Sequence, residues 1–84
     1  MSHTPHELVD LFPLATQKIH DLKQSDTHFA TLADRYHMLN RHIHRIDTGI
    51  EAASDDRTEA LKKERLSLLD AVSAALDHAP PAAS

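Results

Sequence analysis

Eight histidines are spread along the chain, and imidazole is the side chain best suited to bind a transition metal or move a proton near neutral pH. A metal site on a helix wants ligands three or four residues apart on one face, or ligands converging from several elements. His37, His42 and His44 supply no such pair; His37 and His44 stand seven apart, two turns along an outward face. His3 and His6 are three apart, but His3 precedes the first helix cap, so only adventitious copper chelation is expected there. No metal and no cofactor is expected. A Ser/His/Asp triad would need a rigid strand or loop scaffold and a pocket to preorganise it. With no cysteine in the chain, thiolate nucleophiles, thiolate metal sites and disulfides are excluded. Catalysis is not expected.

Charge offers a second kind of chemistry. Arg35, Arg41 and Arg45, with the three histidines between them, give one stretch a basic face, to which Lys62 and Lys63 add. A net charge of −4, an isoelectric point near 6.0 and 4% aromatic residues weigh against nucleic-acid binding, which needs a basic surface and usually stacking side chains. Nucleic-acid or ribosome association is the alternative reading. Protonating every histidine would reverse the sign of the charge. His42, beside Arg35 and close to Arg41 and Arg45, is where acidification is expected to loosen an assembly, unless a carboxylate lies opposite and reverses the trend.

These residues hang on a regular frame. Phe29, Leu32, Tyr36, Leu39, Ile43, Ile46 and Ile50 follow one another at steps of three and four, an a/d seam that only a helix can place on one stripe and only a partner helix can cover. The spacing predicts a main helix over 27–48. Gly49 is placed to end it in the left-handed conformation, with Ile50 folding back. Ser54 can cap a last helix over 54–78, with Asp55 and Asp56 in its first turn, where negative charge suits the dipole. That helix carries Leu61, Leu68 and Val72 toward the seam, with Leu76 further along and Leu66 at the edge. Arg65 lies inside this apolar stripe. Either its stem covers apolar surface while the head reaches water, or it fixes register by pairing across the hairpin or with another chain.

Upstream, Thr4 and Glu7 form a capping box with Pro5 at the first helical position. Pro13 must interrupt that helix and can begin a second segment reaching about Gln24, with Ala15, Ile19 and Leu22 as its stripe. The two stripes lose phase at Ser25, Asp26 and Thr27, all good N-caps, so a break there is expected over one continuous helix. The 79–84 tail, with two prolines, is expected to fray.

The architecture expected is a single domain over 1–84. It is all-α: an antiparallel, coiled-coil-like helical hairpin preceded by one or two short helical segments over 5–24. One two-helix seam buries little surface, so the upstream segments are expected to pack on the hairpin and hairpins to associate with one another. Eighty-four residues with one glycine suit such a fold and leave no room for a deep catalytic cleft. The first residues show no basic region followed by an apolar run, and no stretch nears the roughly 20 apolar residues of a membrane span. A cytoplasmic protein without membrane contact is the expectation.

The run from Lys18 to Asp47, KIHDLKQSDTHFATLADRYHMLNRHIHRID, followed by LKKERLSLLD from Leu61 to Asp70, resembles the YdcH-like family of small bacterial proteins. HELVDLFP, His6 to Pro13, resembles an alphaproteobacterial branch of it. The likeness spans about residues 6–76 and rests most on Leu22, Lys23, Asp26, His28 and Phe29, and on Leu61 to Leu66. It implies a helical coiled-coil hairpin of uncharacterised function and carries over no catalytic or binding residue. Leu69 stands where members often have lysine, which enlarges the apolar surface of the last helix. The function expected is a non-catalytic helical interaction or scaffold module that self-associates and binds an unknown protein partner.

Overall fold

A computed structural model describes residues 7–78. The Thr4–Glu7 capping box, with Thr4 and Pro5, the His3/His6 pair and the 79–84 tail lie in whole or part outside the described residues. Every regular element among the described residues is helical: α1 (Leu8–Leu11), a 3-10 turn (Pro13–Ala15), α2 (Thr16–Ser25), α3 (Thr27–Asp47) and α4 (Asp55–His78). No described helix is long and apolar enough to cross a membrane.

Each boundary has a local cause. Pro13 opens the 3-10 turn, where its missing N–H leaves no donor unsatisfied. Between α2 and α3 a single residue, Asp26, takes the extended conformation (φ −127°, ψ 105°). It ends one helix by donating its N–H to the Leu22 carbonyl and starts the next by accepting from the Phe29 N–H. The phase slip in the apolar pattern is therefore a one-residue break. At the other end of α3, Gly49 sits at φ +81°. The N–H of Ile50 reaches the Arg45 carbonyl and that of Gly49 the Ile46 carbonyl, both bonds of a Schellman ending. Ser54 Oγ accepts from the Arg57 N–H and so caps α4.

α3 and α4 pack antiparallel as the hairpin, and α2 and α1 fold back onto it. The core gathers where all of them meet: Leu8, Ile19, Phe29, Ala33, Tyr36, Val72 and Leu76 form one buried cluster. It lies at the open end of the hairpin, away from the 48–54 connection. Because α1 and α2 cover one flank of α3, the fully buried positions of α3 are Phe29, Ala33, Tyr36, Asn40 and Ile43. That sequence of steps is four, three, four, three. Within the predicted a/d seam, Leu32 and Ile46 are only half-buried, Leu39 is buried, and Ile50 is 75% exposed. The Gly49 turn carries Ile50 into solvent, so it does not belong to the seam. On α4, Val72 is buried, and Leu61 and Leu68 are half-buried.

Candidate functional site

Arg65 resolves between its two readings. On α4 it faces the middle of α3, and its Nη1 donates to Asn40 Oδ1 at 3.0 Å. Asn40 is 1% exposed. The partner is a neutral amide rather than an ion, yet the guanidinium ties the two helices together at a fixed register. The a/d spacing by itself leaves Asn40 off the seam, between Leu39 and Ile43. The signal was present: counting Ala33 as apolar gives the same four-three spacing with Asn40 in it, and that puts an acceptor opposite the arginine in the apolar stripe of α4.

Tyr36 lies next to this contact. Burial pushes its phenol above the usual 10.0; the Arg65 charge works against that rise and the Glu7 carboxylate adds to it. Glu7, just ahead of α1, also brings Oε2 to 2.7 Å from His37 Nδ1. The two atoms are close without being aligned as a hydrogen bond. The His37 ring stands edge-on to Tyr36, with centroids 6.0 Å apart. His37 is therefore part of the seat for the N-terminal segment, not the outward residue its heptad position suggests.

His42 is also engaged. Its Nε2 meets Glu51 Oε2 across the turn, and Arg45 Nε approaches Glu51 Oε1 at 3.4 Å. The hydrogen bond from His42, ahead of that from Arg45, holds the Glu51 carboxyl below its usual 4.5. A carboxylate thus lies against His42 on the same side of the turn as Arg45. Among the described residues no cluster of three or more His, Asp or Glu side chains could hold a metal ion.

The basic residues do not form one surface. Arg35, Arg41 and Arg45 are exposed on α3, but Arg45 is committed to Glu51. Lys62 lies 3.6 Å from Asp47 across the hairpin. Lys63 points away from α3 and shares the outer face of α4 with Asp56, Glu59 and Asp70.

What the fold does leave open is a shallow groove of about 170 Å³ beside α4, lined by Leu11, Tyr36, Lys62, Arg65, Leu66 and Leu69. Leu66 is 59% exposed on its rim. Leu69 is half-buried, packed against the core on one side and open to the groove on the other. Apolar floor and wall, with two cations along one edge, suit a side chain or helix of another protein rather than a reacting centre.

A family model described as "Protein of unknown function (DUF465)" matches residues 29–78, α3 and α4 with the connection between them. No curated protein and no solved structure matches the chain.

Proposed function

The chain belongs to the DUF465 family, of which YdcH is a member, and on that footing we propose that it works as a non-catalytic helical interaction module that associates with itself and offers its hairpin to a protein partner. The observation that carries this reading is the groove beside α4 with Leu66 exposed on its rim. Leaving a leucine and an apolar trough in water forgoes about 25 cal/mol for each Å² that another helix could cover. A chain of this size with few apolar residues to spare gains most by covering them. The basic face has less in its favour, since Arg45 already pairs with Glu51 within the chain and Lys63 sits among carboxylates.

Sedimentation velocity tests the reading. The wild-type protein should run larger than a monomer, and Leu66→Lys should run as a monomer with unchanged helical circular dichroism. Leu69→Lys should shift the profile in the same direction; loss of helicity with it would assign Leu69 to the internal core. A wild type that stays monomeric at high micromolar concentration overturns the proposal, and a gel shift with nucleic acid at low ionic strength would put the basic face ahead of it.

A further inference from the structure

Lys62, Leu66 and Asp70 stand four residues apart in turn, so they form one stripe along α4. All three are exposed. When two identical helices pair antiparallel about a two-fold axis, a residue on the axis meets its own copy. Residues equally far before and after it meet each other. With Leu66 on the axis, Lys62 of each chain faces Asp70 of the other, twice. A parallel pairing about the same stripe would set lysine against lysine and aspartate against aspartate.

We propose that the occupant of the groove is a second copy of this chain, docked by two-fold antiparallel pairing of α4 on α4 with Leu66 at the axis and reciprocal Lys62–Asp70 contacts. This rests on the self-association reading and gives it a register. Leu66 of one copy fills the trough between Leu11 and Leu69 of the other, and Tyr36 forms its floor. Lys62 is free enough to turn outward: its intrachain contact with Asp47 is 3.6 Å long and both side chains are about half exposed. Further out, Asp55 and Asp77 come opposite each other across the axis. Their repulsion confines close contact to the middle turns of α4 and makes the dimer a weak, reversible one.

The absence of cysteine makes the geometry directly testable. In Leu66→Cys the only two thiols of the pair meet at the axis, within reach of a disulfide. Diamide, which takes up two electrons and two protons as two thiols join, should cross-link this variant. Ala60→Cys, exposed on another side of α4, is the control. Covalent dimer should form roughly tenfold or more faster from Leu66→Cys, as expected for thiols held together by an interface. Asp70→Lys should shift sedimentation to the monomer, and adding Lys62→Asp in the same chain should restore the dimer. Equal cross-linking rates for the two cysteine variants, or a charge-swapped double variant that stays monomeric while remaining helical, overturn the proposed register. A monomeric wild type overturns self-association itself, so the two failures are distinguishable.

Discussion

Arg65 donates to an amide oxygen that water cannot reach, and a charged hydrogen bond of this kind contributes about 1.5–3 kcal/mol. Arg65→Met keeps the apolar stem and removes the donor, so it should lower the stability seen in urea denaturation by that amount. Combining it with Asn40→Leu should cost clearly less than the two single changes added together, because the buried amide disappears along with its donor. Glu51 makes a prediction with a sign. Its folded pKa is depressed by His42 and Arg45, so the carboxylate stabilises the fold above its usual 4.5 and that contribution is lost as pH falls through the lower, folded value. The melting-temperature gap between wild type and Glu51→Gln should therefore hold at neutral pH and close in strong acid. A gap that stays constant down to acid denaturation would mean the contact does not persist in solution. At this scale the sequence was half legible. Arg65 stood out because a cation in an apolar stripe is conspicuous, whereas Asn40, His37 and His42 looked like solvated residues, since their partners come from elements that helical periodicity cannot place.

The ends of the helices carry their own energetics. Gly49 sits at φ +81° with open space around the position of a Cβ, so replacing it isolates the backbone term. Gly49→Ala should cost about 1–2 kcal/mol from forcing an L side chain into the left-handed region, with no packing contribution; thermal denaturation would read it. Helix ends were the most readable part of the chain, because Asp26, Gly49 and Ser54 are residue types whose chemistry is local. The burial pattern was less so. The a/d spacing located α3, yet its buried face is rotated toward Ala33 and Asn40. A heptad pattern reports one helix facing one partner, and α3 has a second neighbour in α2, which draws the seam around. Ile50 continued the numerical pattern but followed the glycine turn, and the turn took precedence.

On the scale of the molecule, the N-terminal segment belongs to the core. α1 has four residues, far too few to hold a helix unaided, yet its Leu8 is fully buried in the same cluster as Phe29, Tyr36 and Val72. Leu8→Ala should cost about 2–5 kcal/mol in chemical denaturation, as a truncation in a packed interior does. A change within about 0.5 kcal/mol, the range of a surface substitution, would mean that the segment merely rests on the hairpin. The same cluster has a consequence for how the protein comes into being. Leu8 and Leu76 stand near opposite ends of the described chain, so the interior cannot close while α4 is still being synthesised. As the nascent chain emerges from the ribosome, α1, α2 and α3 appear first with their apolar faces uncovered, waiting for the strip around Val72 and Leu76. Closure of this interior is thus expected to wait until α4 has emerged, and until then the newborn chain presents the surface that a chaperone recognises.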